Sequence, residues 1–160
     1  KDWVDFDLLE FTARQLPDVS FALIGSISSD VSQFNDLKNV YFLGKKTYPE
    51  IPDYGKYFDV ALLPWRQTKW IEYCNPVKTK EYLALGIPIA SIDYPELEPY
   101  LDLVCHADTK EGFVQAVQDA ISEDDPDLVN RRKQSVEKET WDEKVRLLEQ
   151  SIQTSESFHP

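Results

Sequence analysis

The amino-acid sequence predicts an α/β fold, with a Rossmann-like parallel sheet of about five strands and helices on both faces. Three observations lead to this prediction. Short, nearly continuous hydrophobic segments alternate along the chain with longer amphipathic ones, as in parallel sheets covered on both faces. Several of the hydrophobic segments end in glycine or proline, which mark the start of a loop. The segment FDVALLP at residues 58–64 is too apolar for a sheet with one exposed face.

The first half of the chain is predicted to begin with a helix. Over residues 5–16 the apolar side chains recur on one helical face, Asp5 or Asp7 can cap the start, and Pro17 follows the end. Residues 65–74 are predicted to be a long loop rich in aromatic side chains. The predicted strands, in chain order, are residues 19–25, 39–44, 58–64, 87–92 and 102–107.

The remaining helices are predicted from caps and hydrophobic stripes. Asn75 as cap and Pro76 at the first helical position start a helix that Gly86 ends. Asp108 and Glu111 have the spacing of a capping box that opens a helix to about residue 123.

Two charged helices are predicted at about residues 127–138 and 140–153, and residues 95–101 form a short helical segment. A narrow apolar stripe on the last helix is interpreted as part of the core or as a docking face for a missing half of the protein. Its members are Trp141, Val145, Leu148 and Ile152. We expect residues 1–153 to form a single domain and residues 154–160 a disordered tail.

Composition excludes several classes of function. A chain of 160 residues with 42% hydrophobic residues can bury a core, and no apolar run is long enough to span a membrane. Two cysteines and two histidines are too few for a disulfide scaffold, a zinc site or a histidine-based nucleophile, which favours a cytoplasmic protein. The chain has no methionine and begins inside an amphipathic segment, so we expect it to be part of a longer protein.

The distribution of charge narrows the choice of partners. The net charge of -12 argues against nucleic acid and against an anionic membrane as a general partner. Residues 44–80, however, hold seven Lys and Arg residues against four Asp and Glu residues. This locally basic segment indicates either a small anionic ligand or a solvated face.

The strand ends indicate where such a ligand would bind. In parallel sheets, ligands bind beyond the carboxyl ends of the strands, often at helix N-termini. The predicted loops at those ends are residues 25–30, 44–48, 64–75 and 93–95.

The order FDVALLPW…NPVKTKEYLALGIPIAS resembles the C-terminal, nucleotide-sugar-binding domain of a retaining GT-B-fold glycosyltransferase of the group named glycosyl transferases group 1. The resemblance covers most of residues 2–150, including the upstream segments LIG and NVYFLG. It implies that the family's first strand precedes residue 1 and that an N-terminal acceptor-binding domain is the missing partner. It also implies a nucleotide-diphosphate sugar as substrate with no cofactor or metal, and peripheral membrane association only through the full-length protein.

The resemblance assigns site residues but no catalytic residue. It implies that Glu81 accepts hydrogen bonds from the ribose hydroxyls and that Lys78 neutralises a phosphate. Tyr73 stands where many family members have a second glutamate, and the loop GSIS replaces a double-glycine loop. The other implied donor-site residues are Asn75, Pro76 and Val77 at the helix N-terminus, Lys45, Lys46 and Tyr48 near the base, and Gly25 and Ser26 near the donor.

Other interpretations stay open at this stage. An ion pair between Lys78 and Glu81, three residues apart, would explain both charges. Lys45 and Lys46 are equally consistent with a solvated face. Alternative functions are the corresponding half of a sugar-nucleotide epimerase and a non-catalytic α/β binding module. A phosphoacceptor receiver is disfavoured, because Ser and Lys follow the first two strands where that class of protein needs acids.

Overall fold

The computed structural model describes residues 3–156, and the side chains of residues 3–152. The described chain alternates strands with helices, and the strands pair in parallel, which confirms the predicted α/β class. The strands are β1 (Phe21–Ile24), β2 (Val40–Gly44), β3 (Ala61–Leu63), β4 (Ile89–Ile92) and β5 (Cys105–Ala107). Each lies inside the segment predicted for it.

The helices surround these strands. They are α1 (Phe6–Gln15), α2 (Ile51–Gly55), α3 (Lys69–Glu72), α4 (Val77–Leu85), α5 (Lys110–Ile121), α6 (Pro126–Val136) and α7 (Trp141–Glu156). Short 3-10 turns lie at Ser32–Phe34, Tyr48–Glu50 and Pro95–Tyr100. The predicted long loop at 65–74 therefore contains the short helix α3. Helix α7 continues past the predicted end at residue 153, and residues 157–160 of the predicted tail lie outside the described residues.

The five strands are divided between two sheets instead of joined in one. Strands β1 and β2 form one sheet, and β3, β4 and β5 form the other in that order. In register, Phe21 pairs with Val40 and Ala61 pairs with Ile89. Both sheets border one hydrophobic core, in which Phe21 of the first sheet belongs to the same cluster as Leu63 of the second.

Helix α1 follows directly from its sequence. Asp5 is the cap, and its carboxylate accepts a hydrogen bond from the Leu8 N–H at 2.9 Å. The face carrying Leu8, Thr12 and Ala13 is buried, and the Thr12 hydroxyl donates to the Leu8 carbonyl at 2.7 Å, so this polar side chain is satisfied in the core. Of the two predicted caps, Asp5 is correct.

The predicted capping box at the start of α5 is wrong. Thr109, not Asp108, is the cap, because its backbone is extended and its hydroxyl accepts from the Gly112 N–H at 3.1 Å. The side chain of Thr109 reaches the N–H three residues on, which is the usual geometry for a threonine cap. Glu111 therefore lies in the first turn without the partner that the predicted box required.

The apolar stripe on α7 is not part of the core. Trp141 is 85% exposed, and Val145, Leu148 and Ile152 are also exposed. The core interpretation is wrong because all four side chains are exposed; the alternative, a docking face, stays a prediction.

A buried ion pair joins the end of α5, the segment before β5, and α6. The Arg132 guanidinium is 1% exposed and donates to both carboxylate oxygens of Glu123. Its Nε donates to the Leu103 carbonyl at 2.9 Å. A buried charge is costly unless it has hydrogen-bond partners. Arg132, in α6, finds these partners at Glu123 and Leu103, and it thereby holds the three segments together.

Replacing Arg132 is expected to be strongly destabilising. Arg132→Ala leaves the Glu123 carboxylate partly buried and unpaired, which lowers the free energy of unfolding by about 3 kcal/mol or more. The measurement is urea denaturation followed by circular dichroism. Arg131→Ala is the matched control: Arg131 pairs with Asp102 on the surface, so its loss costs less than about 1 kcal/mol. Equal costs for the two variants would contradict this account of the buried pair.

Candidate functional site

Three of the predicted site residues meet beyond the carboxyl ends of the strands. Tyr48 lies in the turn after β2, and Lys78 and Glu81 lie in α4. The Tyr48 hydroxyl donates to Oε1 of Glu81 at 3.1 Å, and Nζ of Lys78 donates to Oε2 at 2.6 Å. We call these three residues the Glu81 cluster. Since Tyr48 follows the first sheet and Glu81 follows β3, the cluster spans the two sheets.

The start of α4 differs from its prediction. Pro76 is the N-cap, with the Thr79 N–H donating to its carbonyl at 3.2 Å, and no side chain caps the helix. Asn75 is therefore not the cap, and its side-chain amide donates to Oε2 of Glu96 at 2.9 Å. Because Pro76 has no side-chain acceptor, the backbone N–H groups of Val77 and Lys78 are not capped by any side chain among the described residues and remain available to an anion.

Gly86 ends α4 as predicted. Its φ of 77° is left-handed, and a Cβ atom at this position would lie 2.8 Å from Lys133 Cε and 3.1 Å from the Val129 carbonyl oxygen. The conformation and the close approach of α6 both require glycine.

A buried hydrogen bond holds α4 against the loop after β4. The hydroxyls of Thr79 and Tyr94 are 2.6 Å apart, and Thr79 is 2% exposed. Burial raises the pKa of Tyr94 to about 12, although the hydrogen bond with Thr79 opposes that shift. The phenol thus remains protonated across the physiological range and fixes the first turn of α4.

The turn that carries Tyr48 is fixed at its base by a capping box. Glu50 Oε2 accepts from the Thr47 N–H at 2.7 Å and from the Thr47 hydroxyl at 2.5 Å. These bonds hold the pKa of Glu50 below its usual value, so the box persists at neutral pH. The backbone of the turn is therefore ordered, whereas the Tyr48 side chain is 74% exposed.

The charges within the Glu81 cluster stabilise one another. Burial lowers the pKa of Lys78, but the hydrogen bond and negative charge of Glu81 outweigh that effect and leave it raised. The hydrogen bond to Glu81 raises the pKa of Tyr48. At neutral pH the cluster thus presents an ammonium group and a phenol O–H, both donating to one carboxylate.

Two glycines lie at the carboxyl ends of the strands of the first sheet. The Gly25 N–H donates to the Gly44 carbonyl at 3.0 Å, and Gly25 has a φ of 147°. The space around a Cβ atom at Gly25 is open to at least 4 Å. Ser26 follows on the surface.

Other predicted residues lie outside the Glu81 cluster. Lys45, Tyr73 and Val77 are exposed, and the Lys46 ammonium sits 5.1 Å from the centre of the Tyr54 ring. Within the described side chains, no hydrogen bond or ion pair joins Ser26, Lys45 or Tyr73 to the cluster. Their proposed contacts with a ligand stay predictions.

The aromatic side chains of the loop after β3 divide between the core and the surface. Trp65 is 7% exposed, and the Trp70 ring stacks on Trp3 with 5.3 Å between ring centres. Tyr73 is 88% exposed. The Trp65 indole Nε1 is buried and has no hydrogen-bond partner among the described residues.

Sequence reasoning missed the contacts of the loop after β4. The Asp93 carbonyl accepts from Gln67 at 3.0 Å, and Asp93 Oδ1 lies 2.6 Å from Nδ1 of His106. Residues 93–95 were predicted as a loop at the carboxyl end of a strand, where a parallel sheet places its functional loops, but the partners of Asp93 and Tyr94 were not predicted. Nothing in the sequence distinguishes Thr79 from an ordinary surface threonine.

Two further features of residues 3–156 bear on function. None of their helices is both long and apolar enough to cross a membrane. Between residues 3 and 156, no group of three or more His, Cys, Asp or Glu side chains is arranged to hold a metal ion.

The comparisons with known proteins indicate a distant relation to a glycosyltransferase. No family model matches the chain. A protein of Bacillus subtilis (strain 168) named "Putative teichuronic acid biosynthesis glycosyltransferase TuaH" is 24% identical over 144 residues, covering 85% of this chain. The chain spans 36% of the length of that protein. The similarity supports a glycosyltransferase relation at this coarse level.

The buried phenol of Tyr94 is expected to make stability depend on alkaline pH. Unfolding exposes a phenol that ionises near pH 10, whereas the folded protein holds it neutral to about pH 12. The contribution of Tyr94 to the free energy of unfolding is therefore complete below pH 10 and is lost as the pH rises toward 12. At pH 11 the loss is about 1 kcal/mol. Urea denaturation of wild type and Tyr94→Phe between pH 9 and about 11 measures this difference. Tyr73→Phe is the surface control, and its free energy of unfolding is expected to depend on pH as in the wild type. If Tyr94→Phe also keeps the wild-type pH dependence, the assignment to Tyr94 is wrong.

Proposed function

We propose that this chain is the donor-binding domain of a retaining glycosyltransferase of the GT-B type. It binds a nucleotide-diphosphate sugar so that the complete enzyme transfers the sugar to an acceptor hydroxyl, in the synthesis of a polysaccharide or glycoconjugate. The observation that carries the proposal is the Glu81 carboxylate, held by two donors on a helix whose uncapped N-terminus lies beyond the strand ends. The distant similarity to a glycosyltransferase supports the reaction class.

Each part of the site has a distinct role in this proposal. The Glu81 carboxylate accepts hydrogen bonds from the two ribose hydroxyls, which are charge-assisted and therefore strong. Lys78 and the N–H groups at the start of α4, near Asn75, Pro76 and Val77, face the diphosphate.

The remaining predicted residues surround the ligand in this scheme. Lys45, Lys46 and Tyr48 lie beside the base, and Gly25 and Ser26 lie beside the donor. Tyr73 is exposed on the segment before α4, and we assign it to the sugar end of the proposed site.

Cations and a helix N-terminus can stabilise the departing diphosphate electrostatically. We therefore propose that the reaction requires no metal or cofactor, and that the enzyme acts in the cytoplasm. Any peripheral contact with a membrane is assigned to the full-length protein.

The division of the sheet supports the proposal that this domain is completed by a preceding segment. Residues 3–5 run antiparallel to residues 64–66: Val4 bridges Trp65, and the Asp5 N–H donates to the Pro64 carbonyl at 2.9 Å. The start of α1 is thereby held at the carboxyl end of β3. Since a parallel strand connects to its neighbour through a right-handed crossover helix, a strand preceding α1 would lie between β3 and β1.

Such a strand joins the two sheets in the order of doubly wound folds, in which the first strand is central. A central strand would also bring backbone acceptors to the carboxyl end of β3, where the Trp65 Nε1 is buried without a partner among the described residues. The acceptor-binding domain is then the further partner, with the reaction taking place between the two.

Amide hydrogen exchange can test the central strand. The N–H groups of Phe21 and Ala61 donate to Asn39 and Pro88, so the next N–H groups along each strand, those of Ala22 and Leu62, point to the open edges. In a longer protein that includes the preceding segment, these two amides are expected to exchange at least about tenfold more slowly than in this chain. The amides of Phe21 and Ala61 are internal controls. Unchanged exchange at Ala22 and Leu62 would contradict the proposal.

Calorimetry tests the donor site directly. We expect UDP or GDP to bind, and Glu81→Ala to weaken that binding at least about tenfold, because two hydrogen bonds to a charged group are lost. Glu98→Ala, which removes an exposed carboxylate outside the site, is the matched control and leaves Kd unchanged. If neither diphosphate binds, and Glu81→Ala does not alter transfer by the full-length enzyme, the donor-site proposal is wrong.

A further inference from the structure

Both oxygens of the Glu81 carboxylate already have hydrogen-bond donors. The Tyr48 phenol donates to Oε1 at 3.1 Å, and the Lys78 ammonium donates to Oε2 at 2.6 Å. A carboxylate that binds a vicinal diol also receives one donor on each oxygen. The Tyr48 phenol therefore occupies one of the positions that the ribose hydroxyls require under the proposed function.

The two donors differ in how firmly they are held. Lys78 lies one helical turn from Glu81 on α4, and its side chain is about half exposed. Tyr48 comes from the turn after β2, 33 residues away, and its side chain is 74% exposed. The backbone of that turn is ordered by the Thr47–Glu50 capping box, so the phenol can leave Glu81 by rotating its own side chain.

We propose that Tyr48 is a displaceable occupant of the ribose site, and that its ring, once displaced, is the surface on which the base stacks. This inference rests on the proposed donor-binding function and adds a specificity rule. The site selects nucleotides with both ribose hydroxyls free, because only a diol can replace the phenol on Glu81.

The exchange of partners is chemically balanced. One phenol O–H leaves Oε1, and the two ribose O–H groups donate to the carboxylate in its place. Lys78 stays bound, because each carboxylate oxygen can accept two hydrogen bonds. The hydrogen bond to Glu81 raises the pKa of Tyr48, which keeps the phenol protonated and therefore a donor.

The freed ring has the chemistry that the base requires. Nucleobases stack on exposed aromatic side chains, and the Tyr48 ring is among the most exposed aromatic rings of the described chain. Rotation of a two-torsion side chain on an ordered turn costs little conformational entropy. The same residue thus blocks the empty site and contributes to the filled one.

Two substitutions of Tyr48 separate these roles. Tyr48→Phe removes the competing hydroxyl and keeps the ring, so it is expected to bind UDP or GDP about three- to tenfold more tightly than wild type. Tyr48→Ala removes the ring as well, so it binds about tenfold more weakly than Tyr48→Phe, the order expected for base stacking. Tyr57→Phe, at an equally exposed tyrosine, is the control and leaves Kd unchanged. Calorimetry gives each Kd, and urea denaturation shows that each variant folds.

The Glu81→Ala background provides the decisive comparison. The gain in affinity for UDP or GDP from Tyr48→Phe is expected when Glu81 is present and absent in Glu81→Ala, where the phenol has no carboxylate to occupy. A purely structural role, in which Tyr48 orients Glu81, predicts that Tyr48→Phe weakens binding of the ribonucleotide, and that result overturns the inference. An equal gain in both backgrounds, or no change at all, also overturns it while leaving the donor site in place. Absence of binding by every form of the protein overturns the proposed function, and this inference with it.

Discussion

The position of α4 is the constraint on which the Glu81 cluster depends. At its first turn, the buried hydrogen bond between Thr79 and Tyr94 fastens the helix to the loop after β4. At its other end, the left-handed Gly86 allows α6 to approach too closely for any side chain. A helix fixed at both ends presents the side chain of Glu81 in one place, and such preorganisation is what the role proposed for this carboxylate requires.

The charges of α4 follow from that position. Lys78 lies in the first turn, where the helix dipole disfavours a cation, yet its ammonium is held by Glu81 one turn later. Nζ of Lys80 donates instead to Oε2 of Glu139 at 2.5 Å, and this contact connects α4 to the segment before α7. An ion pair alone would explain Lys78 and Glu81, but it does not explain why a second donor, the Tyr48 phenol, reaches the same carboxylate from the turn after β2.

Sequence patterns predicted the elements better than their boundaries and contacts. Strands such as β3 were predictable because a continuous apolar run is a local signal. The caps at Asn75 and Asp108 were wrong because a neighbouring residue, Pro76 or Thr109, adopted the extended backbone that defines the cap. The exposure of Trp141 and the division of the sheet depend on which elements meet in space, and no local pattern encodes that. Lys78 and Glu81 could be paired from their spacing, whereas Tyr48 joined them only through tertiary contact.

The division of the sheet and the Glu81 cluster are connected. Tyr48 belongs to the unit built on β1 and β2, and Glu81 to the unit built on β3, β4 and β5, so their hydrogen bond spans the place where the ladder is interrupted. The two units share one core, but no backbone ladder between described residues sets the distance from β1 to β3. A strand inserted there would fix that distance through evenly spaced hydrogen bonds on both sides. The reach of Tyr48 to Glu81 would then be set by the sheet itself, and the balance between the phenol and a ribose diol would depend on the strand that completes it.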